Sequence, residues 1–429
     1  MKKLKSPNSR EYSMIGKGSI SETLSPDGVH QLLAQTFDAL PLDSKRVLVI
    51  IPDGTRTAPI PLMFRLLYEQ IGLRAARLDY LIALGTHPAM SADAIDRLVG
   101  VPSSERAARY PNVQIFNHHW DQPDALQTVG TITRREMEEL TGGLVAEETP
   151  VRLNRLISEY DQIIICGPVF PHEVVGFSGG AKYLVPGIAG AEILNATHWL
   201  GALATSMNTI GIKATPVRRV IHRAAEFVRT PMLCLALVVQ GDQFHGLFAG
   251  TPVDAWSAAA DLSARLNIII VPRPFQRVLS MASQRYDDLW TAAKAMYKTE
   301  PAIADGGEVI IYAPHITEIS YTHGKLIDHV GYHVRDYFVA QPERFKDVPG
   351  AIKAHSTHVK GSGTYEVKTS VESPRIQVTL ATGIPEERCR QVNLGYADYR
   401  AIDSREWEGR EAEGILLVPH AGEMLYRVA

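Results

Sequence analysis

The chain has 429 residues, 45% of them hydrophobic and 21% charged, which is enough for two buried cores and long for a single domain. Its 44 basic and 47 acidic residues leave a formal net charge of −3, so there is no basic field to hold a nucleic acid. Three cysteines (Cys166, Cys234 and Cys389) lie far apart with no CxxC pair, which excludes a disulfide framework and a thiolate zinc site.

In chain order, the opening Met1-Lys2-Lys3-Leu4-Lys5-Ser6 is basic but runs into polar residues, which argues against a secretory signal. No later run approaches the roughly 18 to 20 apolar residues of a membrane span. A cytoplasmic protein with no membrane partner is expected. Arg46 to Ile51 (RVLVII) reads as a buried parallel strand, followed by strands at Tyr80 to Leu84, Val113 to Asn117, Gln162 to Cys166 and Leu233 to Val239. Helical patterns lie between them at Pro61 to Gln70, Ala92 to Leu98 and Arg218 to Val228. After Asn267 to Val271, Pro272-Arg273-Pro274 reads as a linker. A second series follows: a helix at Asp287 to Lys298, a strand at Glu308 to Tyr312, helices at His329 to Val339 and Ala351 to His355, and strands at Arg375 to Ala381 and Gly414 to Val418. The expected fold is α/β, with two doubly wound domains and the active site in the cleft between them. The expected boundaries are 1–270 and 275–405, with residues from about 406 packing back on the first domain.

Five segments carry chemistry. Asp53-Gly54-Thr55-Arg56 follows the first strand, where a turn offers backbone N–H groups and a hydroxyl to an anion, and Arg56 a two-pronged clamp. Gly85-Thr86-His87 follows the second strand and presents an imidazole suited to acid or base work. The Pro- and Gly-rich run from Pro168 to Gly190 holds Pro171-His172-Glu173, then Ser178-Gly179-Gly180 with Lys182 two residues on, and His198 lies beyond it. It lacks the GxxxxGK[ST] of a P-loop. In Tyr286 to Met296, Asp287 or Asp288 can cap a helix that places Trp290, Thr291 and Lys294 together. The last segment, His355-Ser356-Thr357-His358 running to Tyr365, reads as a mobile loop or lid; two histidines three apart suit zinc, but no third ligand is evident. His315, His323, His329 and His333 read as structural or surface positions.

In that order, Asp53-Gly54-Thr55-Arg56, Gly85-Thr86-His87, Pro171-His172-Glu173, Gly179-Gly180-Ala181-Lys182 and His198 resemble the nickel-pincer lactate racemase family, from about residue 46 to about residue 300. The resemblance implies an isomerase that inverts C2 of a small 2-hydroxy acid by reversible hydride transfer. Its cofactor would be a pyridinium-3-thioamide-5-thiocarboxylic acid mononucleotide carrying nickel, supplied by dedicated biosynthetic enzymes. By resemblance, Lys182 holds this nucleotide covalently and His198 ligates the nickel. The Asp53–Arg56 turn and Ser178-Gly179-Gly180 help bind it. His87 and His172 are the two acid/base groups, and Arg56 and Lys294 bind the substrate. The first domain then anchors the cofactor and the second contacts substrate. Lactate-specialised members tend to carry YQxxK, whereas this chain has Trp290-Thr291-Ala292-Ala293-Lys294. A reshaped pocket and a substrate other than lactate are therefore expected, with His355 or His358 touching the additional group. Two alternatives stay open. Lys182 after a Gly-rich turn also suits a pyridoxal-phosphate enzyme, and the same residues suit a non-catalytic relative that binds hydroxy acids. A nicotinamide dehydrogenase fits less well, since no GxGxxG follows the first strand.

Overall fold

The computed structural model describes residues 12–38 and 40–429. Among the described residues the chain forms two compact units, one of residues 12–38, 40–170, 178–194 and 218–266, the other of 171–177, 195–217 and 267–429. Among the described residues no helix is long and apolar enough to cross a membrane.

The first unit is built on seven strands: β1 (Ile15–Gly18), β2 (Arg46–Ile51), β3 (Arg77–Ile82), β4 (Ile115–Asn117), β5 (Gln162–Pro168), β6 (Met232–Gln240) and β7 (Gln243–Gly250), in the order β1-β7-β6-β5-β2-β3-β4. From β6 to β4 every pairing is parallel, as aliphatic strands buried on both faces require. Val47 to Ile51, Leu78 to Ile82 and Ile163 to Cys166 are buried throughout, and their alternate residues Val47, Val49, Ile51, Leu78, Tyr80, Ile82, Ile164 and Cys166 join one core with Phe37, Phe64 and Leu235. At the other edge β7 and β1 run antiparallel, a departure from a wholly doubly wound sheet. The alternation of Gln, His and Gly in QFHGLFAG hid β7 from a search for apolar runs.

The second unit carries an all-parallel sheet of β8 (Phe275–Ala282), β9 (Ile303–Ala313), β10 (Gln377–Thr382), β11 (Gly395–Tyr396) and β12 (Ile415–Ala421), in the order β11-β10-β9-β8-β12. The units differ from the expected domains in three ways. Residues 171–177 and 195–217, with His172 and His198, belong to this second unit and not to the expected 1–270 domain. The Pro272–Pro274 segment joins Ile268–Val271 to β8 within this unit, so it is a connection between strands and not between domains. The residues beyond 406 also stay here, because β12 pairs with β8 and Leu425–Val428 pairs with Ile268–Val271.

Two expected helices are broken. The Asp287–Lys298 helix is two single turns, Leu289–Ala292 and Lys294–Tyr297. Polar side chains take carbonyls that a continuous helix needs: Lys294 Nζ donates to Thr291 O at 3.2 Å, and both Ser280 and Thr299 hydroxyls donate to Ala295 O. The His329–Val339 helix divides into Gly324–Val330 and Arg335–Val339 at Gly331, whose φ of +78° lies outside the helical region. The expected lid is instead the helix Gly350–Lys360 followed by a hairpin of Gly363–Glu366 and Val371–Pro374.

Candidate functional site

In the first unit three chemical loops leave the carboxyl edge of neighbouring parallel strands, where open α/β sheets hold ligands. The turn after β2 carries Asp53, Gly54, Thr55 and Arg56. The turn after β3 carries His87, and the third loop, reached after β5, carries Lys182. Asp53 Oδ2 lies 2.5 Å from His87 Nδ1, and its Oδ1 accepts from Thr55 N–H at 3.1 Å and from the Thr55 hydroxyl at 2.6 Å. Burial alone pushes the Asp53 carboxyl up. The charge and hydrogen bond of His87, with the Thr55 bonds, outweigh this and hold it well below the usual carboxylate range. An ionised Asp53 fixes Nδ1 as the protonated nitrogen of His87, which leaves Nε2 to exchange a proton.

The Lys182 loop is tied to the His87 loop by Gly85 N–H donating to Gly187 O at 2.9 Å. Gly179 and Gly180 have φ of +82° and +59°, and a Cβ on Gly180 would stand 2.7 Å from Trp256 Cβ. The following single turn, Gly180–Tyr183, carries Lys182, whose side chain is part-buried. Buried Tyr183 beside it feels the charges of Arg56 and Asp53, so those residues and the lysine turn are near neighbours. The Ser178 hydroxyl is fully engaged inside the fold, accepting from Phe170 N–H and donating to Pro168 O. Ser178 therefore shapes the turn. Trp256 Nε1 and Arg218 Nη1 hold the same turn through the carbonyls of Ser178 and Gly179.

His118, passed over in the sequence reading, is a further support of this loop. Its Nδ1 accepts a hydrogen bond from Asn154 Nδ2 and its Nε2 donates to Ala189 O at 3.1 Å. Burial lowers its pKa to about 4, which keeps it a neutral strut. Its signal was only its place at the end of β4.

The second unit holds the other candidates. His172 lies on a two-residue strand, Pro171–His172, paired with Gly176–Phe177. Its Nδ1 is 3.2 Å from Glu173 Oε2 and 3.2 Å from Val174 N. Nδ1 here accepts from the Val174 N–H with Glu173 nearby, unlike His87, whose Nδ1 faces the Asp53 carboxylate. His198 is on the helix Ala191–Ala204, and Asn195 Oδ1 on the same helix accepts from Ala351 N–H, at the start of the helix that bears His355 and His358. His355 stacks on Trp290 at 4.0 Å between ring centroids, with His323 against the same indole at 4.6 Å. Burial, then the charges of His358, His323, Lys294 and His198, holds His355 well below its usual pKa. Burial likewise lowers His358 to about 4, against the opposing charge of Glu173. Trp290, His323 and His355 form one aromatic cluster near Lys294. His323 belongs to it, a structural position and not a surface one.

Lys294 is buried, with its ammonium on Thr291 O and 4.8 Å from the Tyr286 ring centre. Asp288 is the capping residue, accepting from Thr291 N–H at 3.1 Å. Thr291 also gives its hydroxyl to Asp288, so it serves the cap, whereas Trp290 forms the aromatic wall. Among the described residues no three His, Cys, Asp or Glu side chains come together to hold a metal.

Residues 7–211 match the lactate racemase N-terminal domain family model. The lactate racemase of Thermoanaerobacterium thermosaccharolyticum is 23% identical over 273 residues, 63% of this chain and 60% of that protein. The lactate racemase of Lactiplantibacillus plantarum is 21% identical over 302 residues, 69% of this chain and 66% of its own length. In both cases the matched part spans less than two thirds of the relative. A protein from Thermotoga maritima, known from its crystal structure, superposes with a TM-score of 0.88 at 32% identity, covering 95% of this chain and 99% of that one. The lactate racemase apoprotein structure from T. thermosaccharolyticum superposes with a TM-score of 0.71 over 96% of this chain and 94% of that one; at 18% identity this likeness bears on the fold.

Proposed function

The chain belongs to the lactate racemase family, and from that premise we propose that it is an isomerase inverting C2 of a small 2-hydroxy acid. The observation that carries this reading is the Asp53 carboxylate at Nδ1 of His87. The Asp53 carboxylate favours the His87 tautomer whose Nε2 bears a lone pair, the arrangement a base needs, whereas at His172 the Val174 N–H occupies Nδ1. Inversion calls for two acid/base groups, since the enantiomers direct their hydroxyls differently.

The family implies a nickel-pincer nucleotide, and the residues present fit it. Lys182 offers an amine on a rigid turn beside Arg56, which suits a tethered anionic nucleotide. A Cβ built on Gly85 meets nothing within 4 Å, and one on Gly54 meets only Met90 Cε at 4.0 Å, so there is room on both sides of the Asp53–His87 pair. The donor chemistry also suits a metal that brings most of its ligands on its own organic group, with His198 adding one imidazole. When bound, such a group supplies the hydride acceptor for C2. His87 Nε2 then takes the hydroxyl proton of one enantiomer and His172 that of the other, each returning it on the opposite course. Arg56 and Lys294 pair with the substrate carboxylate and steady the developing charge. Trp290, where lactate-specialised members carry Tyr, is stacked on His355. This supports a pocket wall shaped for a side group other than the methyl of lactate.

The test is a panel of enantiopure 2-hydroxy acids assayed with cofactor-loaded protein in ordinary and deuterated water. Inversion with little solvent deuterium at C2 is expected. No inversion of any acid, or extensive deuteration at C2, would overturn the reading. Intact-protein mass after co-expression with the cofactor-making enzymes checks the tether: Lys182→Ala should lack the added mass and keep the wild-type circular dichroism.

A further inference from the structure

Lys298 stands four residues after Lys294 and is 1% exposed. Burying an ammonium is costly, and a methionine of similar length would fill the same space without that cost, so packing alone does not call for a charge there. The ammonium donates to Pro171 O at 2.6 Å and to Glu423 O at 2.9 Å, while the Lys298 carbonyl accepts from Tyr426 N–H at 2.8 Å. Three segments of the second unit therefore meet on one residue: the His172 strand, the turn after β12, and the short helical turn that carries Lys294.

We propose that Lys298 is a positioning residue that fixes the Pro171–His172 peptide relative to Lys294. The inference rests on the reading of His172 as an acid/base group. The peptide whose carbonyl Lys298 grips is the one that contributes the His172 N–H, so any rotation of it carries the imidazole along. The strand pair around it spans two residues on each side, Pro171 with Phe177 and His172 with Gly176, too short to set that orientation by its own ladder. Two charge-assisted bonds to carbonyls supply what the ladder lacks. The backbone bond from Lys298 N–H to Lys294 O, 3.3 Å long, links the same residue to the neighbouring substrate-binding lysine. A proton-transferring ring and a carboxylate-binding ammonium must hold a fixed separation, and displacement of about 1 Å costs roughly 100-fold in rate. Lys298 is the residue that joins the two.

The test compares wild type with Lys298→Met as apoprotein labelled with ¹⁵N-histidine, the His172 ring signals being assigned from His172→Gln. The ring shifts and apparent pKa of His172 should change in Lys298→Met, whereas those of His87, in the other unit, should not. In cofactor-loaded protein kcat should fall about 10- to 100-fold with KM within about threefold, and Lys298→Arg should recover part of the loss. Should Lys298→Met fail to fold, Lys298→Gln, which keeps an N–H donor, gives the same ring measurement. His172 signals identical to wild type, or a KM that rises as far as kcat falls, would overturn the proposal. A moved ring together with a fully active His172→Gln would instead overturn the catalytic reading of His172.

Discussion

Asp53 grips His87 through a 2.5 Å contact between Oδ2 and Nδ1, and Thr55 pins the other carboxylate oxygen from the opposite side. The carboxylate cannot turn away without breaking two further bonds, so the imidazole it orients is fixed too. Asp53→Asn keeps the shape but removes the charge that stabilises an imidazolium. Steady-state kinetics of the loaded variant should show kcat lower by about 10²- to 10⁴-fold, as for comparable His–Asp pairs. Retention of kcat within about threefold would count against His87 as an acid/base group. The same pair is linked to stability. The folded carboxyl lies below its unfolded value, so the pair stabilises the fold at and above about pH 4 and loses that contribution as pH falls further.

Glu173 backs His172 less firmly. The contact to Nδ1 is 3.2 Å, and Val174 N–H donates to the same nitrogen at 3.2 Å, so the backbone holds the ring from that side. Glu173→Gln leaves that second partner in place, so the loss in kcat/KM should be smaller than for Asp53→Asn, about 10- to 100-fold. A loss equal to or larger than that of Asp53→Asn would show that Glu173 does more than orient the ring.

These two carboxylates also mark where sequence reading stops. Asp53 reads as part of a cofactor-binding turn, and Glu173 only as the neighbour of a candidate histidine. Asp53 reads locally as a turn former, and its partner is 34 positions away, a pairing that only the adjacency of β2 and β3 creates. RVLVII was legible to the residue, because a strand buried on both faces has no polar interruptions. The segments after 282 were less so. Trp290 and Lys294 look like one helical face, yet the lysine amine itself competes for the backbone there. His355 to Tyr365 looked loose because Gly361, Ser362 and Gly363 follow the histidines, although those glycines lie beyond the helix end. His323 carried no local signal, as its place beside Trp290 depends on β8 and β9 being neighbours.

The aromatic wall gives a specificity prediction. His355 is stacked on Trp290 with 28° between the planes, and its Nε2 is 3.4 Å from the Tyr332 hydroxyl. Removing that ring frees one face of the indole and opens space beside Lys294. His355→Ala should shift the ratio of kcat/KM between the best substrate and lactate by about 10- to 200-fold, the range one side-group contact commands. The measurement is competition between the two acids at fixed total concentration. An unchanged ratio would separate His355 from substrate choice.

His358 makes stability depend on pH in a direction that can be derived. It is 4% exposed, and its Nε2 has no hydrogen-bond partner among the described residues. Burial lowers its pKa from 6.5 to about 4. Above pH 6.5 the ring is neutral whether the chain is folded or not, and its contribution is fully present. Between pH 6.5 and 4 the unfolded chain binds a proton that the folded chain refuses, so stability falls as pH drops through this window and levels off below it. A gap of this size corresponds to about 3 kcal/mol at most, and buried His355 adds a term of the same sign. His358→Phe keeps a ring beside Tyr297, loses no hydrogen bond at Nε2, and cannot titrate. Urea unfolding followed by tryptophan fluorescence at several pH values should therefore show a shallower decline for the variant than for wild type. Parallel curves would mean that burial does not hold the His358 ring neutral in the fold.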